Sequence, residues 1–333
     1  MIRQSEASKL SGGDGAEKSD MRPILPHAVN TKSPPPVVFY QGRQRISAVG
    51  PGFALQSVKA APERMAAISP HIGRIHDRAY LTALKRYAVS LSEGEILLCR
   101  KFDGGGYVPS RIGRAAWLQA SASALCAAEA ARAAVAGTGG SALTVALCPQ
   151  PGRHAFPGRW AAGSLLSNPV LAASVMAQAT EGRVHLFDAG VSRAEGLSAC
   201  VARDERIVLS TLFSARGISS ASPPAPAEAQ DIRSLYVPAP CSLSALGRHL
   251  VNMEDEETPL LLSLSVRFIR MAAASDGGEE ARLRNWSALG RILARRGSPV
   301  CLLIDGCGNM SPFSRRIRAL LRGYARLSGR HVH

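Results

Sequence analysis

The chain has 333 residues, of which 46% are hydrophobic and 20% are charged, so it is long enough to bury the core of one large or two medium domains. Every apolar stretch is broken by Ser, Arg or Pro within a few residues, which excludes a membrane span of about 18 apolar residues. The formal charge is +15, with 34 Arg against 6 Lys, and suggests a nucleic acid, an anionic membrane surface or an acidic protein as partner. Genomic base composition is an alternative source of an Arg-rich, Ala-rich sequence.

Residues 1–36 are rich in Ser, Gly, Lys, Asp and Pro and show almost no apolar periodicity, which predicts a disordered leader. The leader has no apolar segment of a secretory signal peptide. The seven cysteines are scattered, without a Cys-x-x-Cys pair, which excludes a zinc finger and a disulfide scaffold. We therefore expect reduced, mostly buried thiols in a cytoplasmic protein. The alternative is a bacterial effector secreted into a host cell without a cleavable signal peptide.

Apolar spacing predicts ordered structure from residue 37 onward, with strands and helices in alternation. The predicted strands cover residues 37–40, 142–147, 184–187, 206–212, 260–266 and 300–304. The predicted helices cover residues 62–90, 114–136, 169–179, 285–296 and 314–327. Residues 214–240, rich in Ser, Ala and Pro, predict a long surface loop. The alternation predicts a single α/β domain over 37–330, with a mostly parallel sheet covered by helices on both faces.

In an open parallel sheet the chemistry lies in the loops that follow the carboxyl ends of the strands. The loop after the strand at 142–147 contains Pro-Gln-Pro-Gly-Arg-His-Ala over 149–155, and Gly-Ser-Leu-Leu-Ser-Asn over 163–168. The segment at the end of the next strand is Phe-Asp-Ala-Gly-Val-Ser-Arg-Ala-Glu-Gly over 187–196. These loops hold the candidate functional residues.

The two segments resemble motifs of the histone deacetylase and acetylpolyamine amidohydrolase superfamily. The family's first motif is Arg-Pro-Pro-Gly-His-His-Ala, and its second is Asp-x-Asp-x-His-His-Gly-Asn-Gly. Three further segments resemble family motifs in the same order: Pro-Glu-Arg at 62–64, His-Asp-Arg-Ala-Tyr-Leu at 76–81, and Ile-Asp-Gly-Cys-Gly-Asn at 304–309. The resemblance covers about 37–326. It implies an arginase/deacetylase-like α/β fold of three layers, αβα, with a mostly parallel central sheet.

The resemblance also implies a zinc site, because active members hydrolyse an acetyl amide with a zinc-activated water. The family's three ligand positions fall here on Gly190, Ser192 and Arg267, none of which is an ordinary zinc ligand. Three other functional positions are altered as well. The oxyanion-stabilising Tyr falls on Gly308, the tunnel Phe on Ser164, and the first His of the first motif on Arg153. We therefore expect no metal, no cofactor and no zinc deacetylase activity.

Some catalytic positions keep a titratable side chain. By the resemblance, His154 stands at the general-base position, and Glu195 replaces the Asp that would orient it. Asp188 keeps the buried, non-ligating Asp position of the second motif. A vestigial carboxylate–imidazole pair is one interpretation; a solvated His and a turn-forming Asp are the alternative.

Positive charge is concentrated at two places in the chain. If the alignment holds, Arg153, Arg193 and Arg267 converge where the metal would lie, so either a carboxylate such as Asp188 or Glu195 neutralises them or an anion binds there. The last predicted helix carries a basic face that is either simply solvated or a contact for phosphates or an acidic protein. That face consists of Arg315, Arg318, Arg322 and Arg326.

The sequence therefore favours a catalytically inactive deacetylase-like protein that binds an unknown protein or an anionic ligand. A second hypothesis is a zinc-dependent amidohydrolase of acetyl-lysine or acetylpolyamine with rearranged ligands. A third is an anion or nucleic-acid binder acting through the Arg helix, although no nucleic-acid-binding motif supports it. A fourth is a decaying gene with no selected function.

Overall fold

The structure is a computed structural model of the chain. It describes residues 36–41, 54–59, 61–90, 97–99, 110–112, 114–137, 143–214, 232–237, 242–253, 256–275, 277–308 and 314–327. The predicted leader over 1–36 lies outside these residues except for Pro36, and the extent of one domain over 37–330 stays a prediction.

A parallel sheet of eight strands forms the centre of the molecule, in the order β2-β1-β5-β10-β9-β6-β7-β8. Its strands are β1 (Val37–Gln41), β2 (Ala54–Val58), β5 (Leu143–Cys148), β6 (Val184–Ala189), β7 (Ile207–Ser214), β8 (Ile232–Val237), β9 (Leu260–Ser265) and β10 (Val300–Asp305). Two short strands, β3 (Leu97–Cys99) and β4 (Ser110–Ile112), form a separate antiparallel pair.

Helices connect the strands of the sheet. They are α1 (Pro62–Ile75), α2 (Arg78–Ser90), α3 (Arg114–Ala136), α4 (Asn168–Ala179), α5 (Glu195–Val201), α6 (Leu243–Val251), α7 (Val266–Ser275), α8 (Glu279–Arg295) and α9 (Ser314–Leu327). Every residue of β5, β9 and β10 is buried, as expected for strands covered on both faces.

Two apolar cores lie on opposite faces of the sheet, because alternate strand residues point to opposite faces. One core joins side chains of α1 to α5 to strand residues such as Ala146 and Leu303. The other joins α6 to α9 to the intervening strand residues, such as Val145 and Leu302. The molecule therefore has the three-layer αβα architecture with a parallel sheet that the sequence predicts.

The structure confirms most predicted elements and corrects several. Helices α3 and α9 have the predicted bounds, while the region at 62–90 is two helices. The predicted surface loop over 214–240 is wrong at Ile232–Val237, because this segment is the edge strand β8. The prediction also missed the opposite edge strand β2, whose first four residues are exposed and give no apolar signal. The predicted strand over 260–266 ends at Ser265, and Val266 begins α7, which the prediction missed.

Two further expectations have direct counterparts in the structure. Five described cysteines are free and buried, namely Cys126, Cys148, Cys200, Cys301 and Cys307. Among the described residues, no helix is both long enough and apolar enough to cross a membrane.

Helices α8 and α9 contact each other through glycines at their crossing. A Cβ atom on Gly290 would collide with the carbonyl oxygen of Leu320, and it would lie 2.8 Å from the backbone nitrogen of Tyr324. A Cβ atom on Gly323 would collide with the carbonyl oxygen of Ser287. The two backbones can approach this closely only because both positions lack a side chain.

We predict that Gly290→Ala destabilises the protein by about 1–3 kcal/mol, because the added methyl group forces the α8 and α9 backbones apart. The matched control is Gly73→Ala in α1, where an added Cβ meets nothing within 4 Å. That change should stabilise the protein by about 0.5–1 kcal/mol through helix propensity. Urea unfolding of both variants measures the effect, and equal stabilities of the two variants would contradict the packing argument.

Candidate functional site

The candidate site lies at the carboxyl edge of the four central strands, β5, β10, β9 and β6. Asp305 at the end of β10 pairs with Cys148 of β5 on one side and with Ser265 of β9 on the other. Asp188, near the end of β6, pairs with Ser263 of β9. The segments that follow these strands therefore meet at one edge, as the parallel topology requires.

Asp305 anchors the segment that follows β5. Its carboxylate accepts hydrogen bonds from the backbone N–H of Gly152, at 3.0 and 2.8 Å to the two oxygens, and from that of Arg153 at 3.1 Å. The side-chain amide of Asn168 donates a further bond at 3.0 Å. Burial raises the pKa of Asp305 to about 6, and the hydrogen bonds from Gly152, Asn168 and Arg153 oppose that rise. The carboxylate thus fixes the backbone that carries Arg153 and His154.

A buried ion pair between Arg153 and Asp188 occupies the centre of the site. The Nη2 atom of Arg153 lies 2.6 Å from Oδ2 of Asp188, and Nε lies 3.4 Å from Oδ1. The side chains are only 5% and 0% exposed, respectively. The hydroxyl of Ser263 donates to Oδ1 of Asp188 at 2.9 Å, and Nη2 of Arg153 also donates to the carbonyl of Ser192 at 3.0 Å. The geometry is that of a desolvated, charge-assisted pair with additional hydrogen-bond partners.

Gly190 leaves room for the Arg153 guanidinium. A Cβ atom built on Gly190 would collide with Nη2, Cζ and Nη1 of Arg153, so no side chain at position 190 is compatible with this arrangement. The backbone N–H of Gly190 donates to the carbonyl of Leu212 at 2.9 Å, which keeps the segment close to β7. The guanidinium therefore fills the space into which a side chain at position 190 would point.

His154 lies beside the ion pair and is neutral near pH 7. Its Nε2 is 3.4 Å from Nη1 of Arg153, and its backbone N–H donates to the hydroxyl of Ser164 at 3.3 Å. Burial, followed by the positive charge of Arg153, lowers the pKa of His154 to about 4; Arg267 lowers it further and Asp188 opposes the shift. Because Arg153 has no acceptor atom, the guanidinium donates and Nε2 accepts.

Glu195 does not accompany His154. It is exposed at the first residue of α5, and its side chain makes no hydrogen bond or ion pair with any described residue. The carboxylate that acts on His154 is that of Asp188, whose negative charge favours the protonated form of the His154 ring through space. The carboxylate–imidazole pair inferred from the resemblance is thus absent from the described part of the chain.

The remaining predicted positions lie in the segments that follow β5, β6, β9 and β10. Ser164 is fully buried, and Ser192 contributes its carbonyl. Arg193 is half-buried, and Arg267 is exposed near the start of α7, within electrostatic range of His154. Gly308 is exposed with a positive φ of 50°, and a Cβ there would meet nothing within 4 Å.

Sequence reasoning did not single out three residues on which the site depends: Asp305, Ser263 and Asn168. Ser263 and Asp305 are polar residues within wholly buried strands, and such residues need a partner. That pattern was the available signal. It indicates that a partner exists, but it does not say which residue supplies it.

His76 supports the site from the end of α1. Its Nδ1 lies 3.0 Å from the carbonyl oxygen of Phe156, and its Nε2 accepts from the backbone N–H of Ser167 at 3.0 Å. Burial lowers the pKa of His76 to about 4, although the backbone hydrogen bonds with Phe156 and Pro157 oppose that shift. The neutral ring therefore links two parts of the segment between β5 and α4.

The described residues contain no group of three or more His, Cys, Asp or Glu side chains placed to hold a metal ion. The four arginines of the predicted basic face lie far along the chain from the Arg153–Asp188 pair, on α9. Arg315, Arg322 and Arg326 are exposed, and Arg318 is half-buried.

An eight-stranded parallel sheet between two helical layers, with its polar cluster at the carboxyl edge, defines a three-layer α/β protein. The sequence matches the model of the histone deacetylase domain over residues 44–224, more than half of the chain. The chain therefore belongs to the histone deacetylase domain family. A search of curated proteins finds no match.

Two solved structures illustrate the likeness in fold. An acetylpolyamine aminohydrolase from Burkholderia pseudomallei superposes with a TM-score of 0.59 at 18% identity, over 83% of this chain and 86% of that chain. The HDA15 HD domain superposes with a TM-score of 0.61 at 14% identity, over 87% of this chain and 90% of that chain. Identities this low establish the fold alone.

We predict that Arg153→Ala destabilises the protein by about 3–5 kcal/mol, because it leaves the Asp188 carboxylate buried without its cation. The double variant Arg153→Met with Asp188→Asn should recover much of that loss. Arg284→Ala, which breaks an exposed pair with Glu280, is the matched control and should change little. The comparison uses urea unfolding, and a single variant as stable as the control would refute the role of the pair.

We predict that His154→Gln weakens the loss of stability on acidification. Because the pKa of His154 is about 4 in the folded chain and 6.5 ordinarily, the unfolded state takes up a proton that the folded state refuses between these values. The free energy of unfolding therefore falls as the pH drops from 6.5 to 4. In the variant, the number of protons taken up on unfolding in this range should be smaller by up to about one, so the free energy should depend less steeply on pH.

Urea unfolding across this pH range tests the change in slope. The raised pKa of Asp305 acts in the opposite direction, since it favours the folded state as the pH falls, but it contributes equally to both proteins. An unchanged slope in the variant would show that His154 titrates normally.

Proposed function

We propose that this protein is a member of the histone deacetylase family that does not hold zinc and acts by binding a partner instead of by hydrolysis. One observation carries the proposal. The guanidinium of Arg153 fills the space next to Gly190 and forms a buried ion pair with Asp188.

The residues at the positions that would hold zinc do not fit the ion. Gly190 has no ligand atom in its side chain, and Ser192 uses its carbonyl to accept from Arg153. Both oxygens of Asp188 already accept hydrogen bonds, from Arg153 and Ser263. A divalent cation at this place would have to displace the Arg153 guanidinium from a buried ion pair, which is costly because it leaves a buried charge without its partner. No catalytic step through zinc is therefore derived for this chain.

His154 is a poor general base in this environment. With a pKa of about 4 it holds a proton weakly at neutral pH, whereas efficient general bases titrate close to the working pH. Its Nε2 lone pair also faces the Nη1 donor of Arg153. Without a metal ion to lower the pKa of water from about 15.7 towards 7, this imidazole has no activated nucleophile to assist.

The competing function is an active amidohydrolase of acetyl-lysine or acetylpolyamine with rearranged ligands. The Burkholderia protein of similar fold is an acetylpolyamine aminohydrolase, which is the reason to test this alternative. Such an enzyme would need donor side chains other than those at positions 190, 192 and 267. The bacterial-effector hypothesis rests on the sequence of residues 1–36 alone and stays a prediction.

We predict that the purified protein contains no stoichiometric zinc and does not deacetylate an acetyl-lysine peptide or an acetylpolyamine. Elemental analysis and a fluorogenic deacetylase assay, both after dialysis against zinc, measure these two properties. About one zinc per chain, or zinc-dependent turnover, would refute the proposal.

A variant with a restored donor set makes the zinc test sharper. It combines Arg153→His, Gly190→Asp, Ser192→His and Arg267→Asp, so that the guanidinium leaves and the three ligand positions 190, 192 and 267 carry two Asp and one His. We expect this variant to take up zinc under the conditions in which the native chain does not. Circular dichroism checks that the variant is folded. If the variant does not fold, the zinc content of the native chain still decides the proposal.

A further inference from the structure

A surface groove separates α6 from α8 in the helical layer that also contains α9. Its volume is about 380 Å³. The residues that line it include Leu243, Gly247, Arg248 and Val251 of α6, and Leu289 and Ile292 of α8. It lies outside the cluster built around Arg153 and Asp188.

The floor and one wall of the groove are apolar. Leu243 and Leu289 are buried at its base, while Val251 is 54% exposed and is one of the few large aliphatic side chains that the described residues present to solvent. Gly247 keeps the helices close, since a Cβ there would lie 3.0 Å from Cδ1 of Ile292. An exposed apolar depression bordered by polar side chains is typical of a protein-binding surface.

The border of the groove and the adjacent helix face are basic. Arg248 lines the groove from α6, and Arg291 and Arg295 lie on α8. None of these three arginines forms an ion pair with an acidic side chain in the described part of the chain. Arg291 donates only to the hydroxyl of Ser287, at 3.1 Å.

Helix α9, which carries exposed arginines, packs directly on α8 at the crossing of Gly290 and Gly323. Acidic groups lie at the ends of the same helices: Glu256 and Glu257 follow α6, and Glu279 and Glu280 begin α8. Glu280 pairs with Arg284 at 3.7 Å, but both side chains are largely exposed and the pair is weak. Because Glu279 also pairs with Arg282, the positive charge beside the groove is that of Arg248, Arg291 and Arg295, with Glu256 and Glu257 after α6 as the nearest acidic residues in sequence to Arg248 that the structure describes.

Nucleic acid is the less suitable ligand for this surface. Binding of single strands relies on aromatic side chains on which bases stack. The aromatic residues of α8 and α9 are Trp286 and Tyr324, and they are only 2% and 1% exposed. The apolar floor of the groove also offers no hydrogen-bond donor to a phosphate, whereas it accommodates the apolar face of a helix.

We propose that the groove between α6 and α8 docks an acidic amphipathic helix of a partner protein. One or two aliphatic side chains of that helix enter the groove against Val251, Leu289 and Ile292. Its carboxylates face Arg248 and the arginines of α8. The proposal concerns a surface separate from the Arg153–Asp188 site and stands whether or not the chain binds zinc.

The test uses a fluorescein-labelled model peptide of about 16 residues, with Leu at helical spacing and Glu on the opposite face. Anisotropy titration of the full chain should show saturable binding. Two control peptides should bind at least about tenfold more weakly: one with Lys in place of Glu, and one with Ser in place of Leu.

Variants of the chain locate the binding site. Val251→Asp and Arg248→Glu should each weaken binding of the acidic peptide by about tenfold or more. The matched controls are Leu118→Asp in α3, an equally conspicuous exposed leucine at 65%, and Arg86→Glu in α2, an exposed arginine. Both controls should bind as the native chain does, as should Arg153→Met with Asp188→Asn.

Three outcomes would overturn the proposal. One is equal binding of the Leu and Ser peptides, since the groove would then contribute nothing beyond charge. Another is equal loss in the α2 and α3 controls, which would place the effect in the net charge. The third is tighter binding of a labelled single-stranded oligonucleotide that Val251→Asp does not weaken, which would identify a nucleic-acid surface instead. None of these outcomes bears on zinc content.

Discussion

The buried ion pair between Arg153 and Asp188 determines what the carboxyl edge of the sheet can do. Removing a guanidinium and a carboxylate from water costs several kcal/mol for each ion, and the cost is offset only when geometry and further hydrogen bonds are good. Here Ser263 supplements the carboxylate and the carbonyl of Ser192 supplements the guanidinium. Because the pair needs the space beside Gly190, it excludes any ligating side chain from that position.

A second buried carboxylate makes this arrangement rigid. Asp305 holds the backbone of Gly152 and Arg153, so the guanidinium projects from a fixed point of the chain. The two carboxylates have different partners, one a cation and the other backbone and amide N–H groups, and only the latter lacks a full countercharge. This difference explains why burial dominates at Asp305 and raises its pKa. The edge therefore combines one neutralised pair with one carboxylate that is costly to ionise.

The sequence predicted the layers and the central strands because their signals are local. Helix α3 ends at Ala136, just before Gly137, and β10 is a buried and mostly aliphatic run, so periodicity and turn residues suffice for both. The edge strands β2 and β8 have weak apolar patterns, and their place depends on distant partners. At the site, the family alignment placed Arg153 and Asp188 near each other, but it also assigned a partner role to Glu195, which lies exposed on α5. The direction of a side chain at the start of a helix depends on how the helix packs, and the spacing of residues in the sequence does not reveal this.

The arginines behind the net charge of +15 act differently according to whether they are buried or exposed. Inside the site, the charge of Arg153 is neutralised by Asp188 and contributes little to the external field. On α8 and α9, exposed arginines such as Arg295 and Arg322, which pair with no acidic side chain among the described residues, produce a field that extends about a Debye length, roughly 8–10 Å, into solvent. Such a field raises the rate of encounter with an acidic partner but does not distinguish one acidic partner from another. To distinguish one acidic partner from another, the protein also needs a surface of specific shape. The apolar groove beside Val251 provides such a surface in the helical layer that contains α8 and α9.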